Sequence, residues 1–231
     1  MSSTTSQLSH RIGTAFSCLG RTEGELIAIA RKLAIRYWRA ITAVGVSILL
    51  TAAALMPYEM AWLSALQSLK SPELTLIAKR LSAWGDIFPG TLIITFSLWS
   101  CGRLTHRRLL VRAGIACLLA AVLAGLFSDV FRFGLGRARP NSGLPDGLYG
   151  PTLSAKLHGF PSGHTTAALA TGVSLAVALP PIGIPAVALG ASVGWSRLYL
   201  NWHRPTDVLV GATIGSLFGL AFGLAARESK R

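Results

Sequence analysis

The sequence is short of charge, and shorter still of acid. Asp, Glu, Lys and Arg make up 13% of its 231 residues, and only nine of them are acidic. A soluble domain carries roughly 25% charged residues. With 52% apolar residues and half the usual solvating charge, an ordinary water-soluble globule is excluded. Cysteine is scarce too. Cys18, Cys101 and Cys117 fall where no oxidising face is expected, so there is no disulfide framework. No Asn-x-Ser/Thr sequon occurs, which with the compact size points to a bacterial source. No internal repeat stands out. The first 39 residues are Ser/Thr-rich and then basic rather than short and apolar, so no cleaved leader is expected and the first apolar run should stay as an anchor.

What the chain has instead is long runs without any charge. Ala40 to Tyr58 and Val208 to Ala226 are 19 residues each, and Ile87 to Gly102 and Ala113 to Ser128 are 16 each. All lie near the roughly 17 to 25 residues that cross hydrocarbon once flanking side chains snorkel. Leu157 to Ser196 runs for 40, too long for one span, and Pro180, Pro181, Gly183 and Pro185 divide it into two. The expected fold is therefore all-α: a polytopic bundle of six spans near 40–57, 87–102, 112–132, 163–179, 183–197 and 206–226. A soluble helical core is disfavoured because these runs lack a polar face. The chain divides into an N-terminal segment, 1–39, and a single six-span domain, 40–231.

The net charge of +13 would suggest nucleic acid in a soluble protein, but the position of the bases says otherwise. Thirteen of the 22 Lys and Arg fall on one side: six before the first run (Arg11, Arg21, Arg31, Lys32, Arg36, Arg39), four after the second (Arg103, Arg107, Arg108, Arg112) and three in the tail (Arg227, Lys230, Arg231). The positive-inside rule puts both termini in the cytoplasm. Much of the excess charge is topogenic, and no nucleic-acid partner is expected. Residues 23–39 read either as an amphipathic helix on the inner leaflet or as a solvated basic tail. Residues 58–86 place Trp62, Leu63, Leu66 and Leu69 at helical spacing ahead of Pro72, as a short interfacial helix would. Trp38, Trp99 and Trp195 lie near the expected boundaries, as aromatic anchors do.

Polar residues in such a chain are costly, and they gather in three clusters. Arg132 and Arg139-Pro140 stand at the end of the third run, seven apart, on one helical face if Gly134 and Gly136 permit helix that far. Pro161-Ser162-Gly163-His164 precedes the fourth. Ser196-Arg197, His203 and Asp207 bridge the fifth and sixth. Spans four and six begin on the face where span three ends, whichever way the protein is inserted, so the clusters share one membrane surface. Two helix N-termini and three arginines on that surface make an anion site.

These residues resemble the type 2 phosphatidic acid phosphatase superfamily, the lipid phosphate phosphatases. The likeness covers roughly 90–225 and rests on three signatures: Lys-x6-Arg-Pro, Pro-Ser-Gly-His and Ser-Arg-x5-His-x3-Asp. The second and third are complete here. In the first, Arg132 replaces the usual Lys, so charge is kept but a planar fork replaces a point donor. The resemblance implies His203 as the nucleophile, phosphorylated on a ring nitrogen. Metal-free hydrolysis further needs an acid for the leaving group and cations around the phosphate. His164 is the candidate general acid and later the base. Asp207, reaching back from the first turn of the last helix, is expected to hold the His203 tautomer. Arg132, Arg139, Ser162, Gly163 and Arg197 are expected to bind the substrate phosphate. Two His and an Asp also resemble a zinc ligand set, but three arginines repel a dication, so neither metal nor cofactor is expected. Asp129, one turn before Arg132, reads as its ion-pair partner ahead of a catalytic role.

The expected activity is metal-independent removal of a terminal phosphate from a membrane lipid, at the periplasmic face of a bacterial inner membrane. The candidate substrates are undecaprenyl diphosphate, phosphatidylglycerol phosphate, phosphatidic acid and lipid A phosphate. A soluble haloperoxidase would share the signatures but not six apolar spans. A lipid phosphotransferase would use the same first half-reaction. An anion transporter would use the arginines, but would not need a His-x3-Asp pair facing a second His.

Overall fold

The computed structural model describes residues 20–228. Arg11, Cys18, Lys230 and Arg231 lie outside the described residues, so their expected places on the cytoplasmic side are untouched by the structure. Among the described residues there are nine α-helices and no strand: α1 over 20–36, α2 Trp38–Leu55, α3 Glu59–Gln67, α4 Pro72–Trp84, α5 Leu92–Leu104, α6 Arg108–Leu135, α7 Gly163–Ala178, α8 Pro180–Tyr199 and α9 Pro205–Glu228. A π-helical turn at Ile87–Thr91 links α4 to α5. Each of the six expected spans falls on a helix. By length and composition, three stretches suffice to cross a membrane: Trp38–Gln67, Arg108–Leu135 and Pro205–Glu228. A fourth is available if the pair Pro72–Trp84 and Pro89–Leu104, bent by 63°, acts as one span.

Proline and glycine punctuate the chain as their chemistry requires. Ser71 caps α4 by accepting from the Leu74 N–H at 3.2 Å, with Pro72 in the first turn. Pro180 opens α8, while Pro185 is carried inside it, so the Pro-rich stretch starts a helix directly after α7 rather than forming a longer turn. The helix count between 58 and 86 exceeds the single interfacial helix expected there, since the chain breaks before Pro72 and gives both α3 and α4. Leu26 and Ala30 of α1 are buried in the core cluster, so α1 rests against protein on that face and is no plain solvated tail.

α7 is the axis of the bundle, packed by α6, α8 and α9. Its contact with α9 is set by small residues at every fourth position. A Cβ on Gly211, Gly215, Gly219 or Gly223 would meet the carbonyl oxygen of Ser162, Thr166, Ala170 or Ser174 at 2.7, 2.3, 2.7 and 2.7 Å. Two four-residue ladders thus interlock, and the backbones approach more closely than any larger residue permits. Hydroxyl pairs tie the other faces: Thr91 to Thr171 at 2.8 Å and Ser128 to Thr166 at 3.3 Å. The ladder begins at Ser162 and Gly211, so the N-termini of α7 and α9 open at the same end.

Candidate active site

That end holds all three polar clusters. α6 stops at Leu135 because Gly136 takes φ 59°, ψ 50° as a left-handed cap, a conformation that favours glycine. Arg132 is therefore helical but Arg139 is not. The two do not share a helical face; Arg139 reaches the site from the loop 136–162. That loop is pinned by backbone bonds: Ala138 N–H to Gly147 O at 3.2 Å, Arg139 N–H to Lys156 O at 2.9 Å, and Gly159 N–H to Arg137 O at 2.9 Å. Arg204, just before α9, donates to Ala138 O and pairs with Asp146 at 2.9 Å, which fastens the loop to the start of α9.

Ser162 is the N-cap of α7 and fully buried. Its N–H donates to the Asp207 carbonyl at 3.0 Å, and its hydroxyl pairs with Thr165 at 2.9 Å. The first of those bonds locks the two helix starts together. Gly163 follows, and a Cβ there would lie 3.0 Å from the Arg132 guanidinium, so the glycine lets that group rest against the N-terminus of α7. Asp129 holds the same guanidinium through an i,i+3 ion pair. His164 sits within the first turn of α7, with Arg197, Arg139 and Arg132 as its charged neighbours and His203 close by. Gly85, at the end of α4, packs against its Cβ.

Arg197, in the last turn of α8, is 1% exposed; its guanidinium donates to Ser82 Oγ and lies 4.2 Å from the centroid of the Trp202 ring. Its carbonyl accepts from the N–H groups of Trp202 and His203 at 3.0 and 3.3 Å, which closes the turn into α9. Arg132, Arg139 and Arg197 each keep a buried Nε without a hydrogen-bond partner. Burial and the charge of Arg132 hold the Arg139 guanidinium below its ordinary pKa, with Asp207 opposing. Clustered cations with spare donors are a standing demand for an anion.

The expected link between His203 and Asp207 takes a different form. The Nδ1 of His203 lies 2.7 Å from the Gly159 carbonyl and 3.7 Å from Asp207 Oδ2. A carbonyl only accepts, so Nδ1 carries the proton and Nε2 keeps the lone pair. Gly159 is needed for this approach, since a Cβ there would meet Arg137 O at 2.8 Å. Burial lowers the His203 pKa, as do Arg197 and Arg139, while the nearby Asp207 carboxylate opposes that. The ring is neutral at pH 7.

Asp207 instead accepts from Arg137 Nη1 at 2.6 Å and from the Arg204 N–H at 2.7 Å. Arg137, Glu59 and Gly159 were not among the residues singled out in the sequence. Arg137 stands two residues from a signature arginine, and Glu59 is a carboxylate directly after an apolar run; both positions are costly for charge, and that cost was the available signal. A cavity of about 250 Å³ opens beside His164, lined by the charged Asp86, Asp129 and Arg132 and by Val122, Gly125, Leu126 and Ala167.

The PAP2 superfamily profile matches residues 113–230. The chain is similar to undecaprenyl-diphosphatase BcrC of Bacillus subtilis, 28% identical over 130 residues, which cover 56% of this chain and 64% of that protein, just under two thirds of its length. It is similar to decaprenylphosphoryl-5-phosphoribose phosphatase of Mycobacterium tuberculosis, 31% identical over 172 residues, covering 70% and 86%. Its fold is similar to that of a transmembrane PAP2-type phosphatidylglycerolphosphate phosphatase from Bacillus subtilis, with a TM-score of 0.62 at 23% identity, over 83% of this chain and 98% of that one.

Proposed function

Because the chain belongs to the PAP2 superfamily, we propose that it is an integral membrane phosphatase that removes a terminal phosphate from a lipid without a metal, through a phosphohistidine on His203. One observation carries this reading. Three guanidinium groups with unpartnered buried Nε atoms gather around His164, and two of them, Arg139 and Arg197, also act on His203, whose Nδ1 is committed to a carbonyl, which leaves Nε2 to attack.

The lipid phosphate docks against Arg132, Arg139 and Arg197, whose charge offsets that of the equatorial oxygens, with the N-terminus of α7 at Gly163 contributing its dipole. Nε2 of His203 attacks phosphorus as the bond to the leaving oxygen breaks. The Gly159 carbonyl and the Asp207 carboxylate stabilise the positive charge that develops on the ring. His164 gives its proton to the leaving group, then takes one from the water that cleaves the phosphorus–nitrogen bond, releasing phosphate and restoring both rings. Ser162 acts at one remove, by fixing α7 to Asp207.

Six spans, α2 and α5 to α9, with cytoplasmic termini put this site on the periplasmic face of a bacterial inner membrane. The relatives' names point to phosphorylated polyprenyl substrates, and the cavity beside His164 has apolar walls suited to a lipid and carboxylates suited to a hydroxylated or cationic group. Phosphate release by the purified protein across undecaprenyl diphosphate, phosphatidylglycerol phosphate, phosphatidic acid and lipid A phosphate, with and without EDTA, tests the reading. Release is expected to continue in EDTA, with acid-labile phosphate on the protein. Activity lost in EDTA and restored by zinc or magnesium would overturn it.

A further inference from the structure

Glu59 lies far from the matched superfamily region, at the first position of α3, yet its side chain is 1% exposed. Its two oxygens have separate partners. Oε1 accepts from Arg137 Nη2 and Oε2 from the Thr206 hydroxyl. Arg137 in turn uses Nη1 on Asp207 Oδ1 at 2.6 Å and on Thr206 Oγ1 at 2.8 Å. Glu59, Arg137 and Asp207 thus form a buried carboxylate–guanidinium–carboxylate chain that ends beside His203.

We propose that Glu59 is a positioning residue of the active site: by binding Arg137 it balances that charge, fixes the Asp207 carboxylate, and keeps His203 basic enough to take the phosphoryl group. The proposal rests on the phosphohistidine reading above. Every element around His203 brings charge to it. Asp207 and Arg204 come from the start of α9, Arg197 from α8, Arg139 and Arg137 from the loop after α6, and His164 from α7. Cations outnumber carboxylates at this end of the molecule, so loss of the Glu59 charge would be felt at the imidazole. Arg137 would then be neutralised by Asp207 alone, drawing that carboxylate away from the ring.

The predicted signs are opposite for the two partners. Nucleophilic His203 must be neutral, so phosphoenzyme formation falls as pH drops through its pKa. Removing a buried negative charge lowers that pKa, and removing a positive one raises it. Glu59→Gln is isosteric, and its acidic limb should move down by roughly one pH unit, with phosphoryl transfer at pH 7 slowed roughly ten-fold. Arg137→Gln should move the limb up. The double variant should return it to near the wild-type position.

Single-turnover transfer of ³²P from phosphatidic acid in detergent micelles to the full-length protein, followed against pH, reads these shifts directly. Opposed shifts in the two single variants support the proposal, and if one of them fails to fold, the sign in the other decides. A limb left at the wild-type pH, whatever the drop in rate, would show that the chain is only structural and overturn the proposal while leaving the phosphohistidine standing. A wild-type protein that never acquires label on His203 would overturn the underlying reading and this one with it.

Discussion

His203 shows how little of a side chain's working state is set by its sequence neighbours. The spacing to Asp207 predicts a carboxylate-held tautomer, but the nearer acceptor is the Gly159 carbonyl, 44 residues away in sequence. Asp207→Asn therefore should not flip the tautomer. It should lose the charge that Arg137 and the Arg204 N–H hold, leaving Arg137 short of a partner, and slow phosphoenzyme formation while phosphate-analogue binding persists. Vanadate inhibition retained in a variant with sharply lowered turnover is the expected signature. Burial of His203 also fixes a pH dependence of stability. With the folded pKa depressed below the ordinary 6.5, the unfolded chain binds the proton first, so stability should decline as pH falls from about 6.5 toward the folded value. Thermal midpoints in detergent at pH 7.5 and 5.5 would show it, and His203→Gln should flatten the difference. His164 has a complementary test. A monoester expels an alkoxide that needs a proton, whereas a diphosphate expels a phosphate that leaves readily. His164→Ala should thus cost close to the roughly 10²- to 10⁴-fold of a lost general acid in single-turnover release from phosphatidic acid, and less from undecaprenyl diphosphate. Equal losses on both would remove His164 from the leaving-group side.

At the scale of elements, the site is placed by how tightly α7 and α9 meet. Gly215 is the tightest rung, with 2.3 Å between an added Cβ and Thr166 O, whereas a Cβ on Gly134 meets nothing within 4 Å. Gly215→Val should overpack the contact at a cost of ~1–3 kcal/mol. It should also lower activity beyond that loss, because the pair of helices carries His164 and His203 at their starts. Gly134→Ala is the neutral control, and the comparison is read from thermal midpoints and turnover together. The helices themselves were legible from charge-free runs, and their starts from Pro and Ser. The four-residue ladder of glycines was equally present in the sequence. Its partner ladder, Ser162, Thr166, Ala170 and Ser174, takes on meaning only once α9 is known to lie on α7. The same holds for Arg139: Gly136 signalled a possible helix end, but only the loop's backbone bonds show how the arginine returns to the site. Glu59 was legible only as a misplaced carboxylate, because its partners are 78 and 147 residues away.

For the whole molecule, the site and the lipid must meet at headgroup depth on one side of the membrane. On a cysteine-free background, a Cys placed at Leu144 in the loop after α6 should react with an impermeant thiol reagent from outside, and one placed at Ser229 only after lysis; the reverse labelling would put the site in the cytoplasm. The route of the lipid follows from the cavity between α6 and α7. That cavity meets the surroundings of the bundle at Leu126, which is 58% exposed, and its lining also includes His164 and Arg132. A substrate entering sideways keeps its tails in hydrocarbon and brings only the phosphate to the arginines. Leu126→Trp narrows that opening without touching the phosphate cradle. The kcat/KM for a long-chain lipid phosphate should fall by about ten-fold, roughly the 1.4 kcal/mol that a poorly seated chain would forfeit, while a short water-soluble phosphomonoester is hydrolysed as before. Equal losses on both would mean that the phosphate end was disturbed, and no loss on either would mean that the lipid enters from the aqueous face.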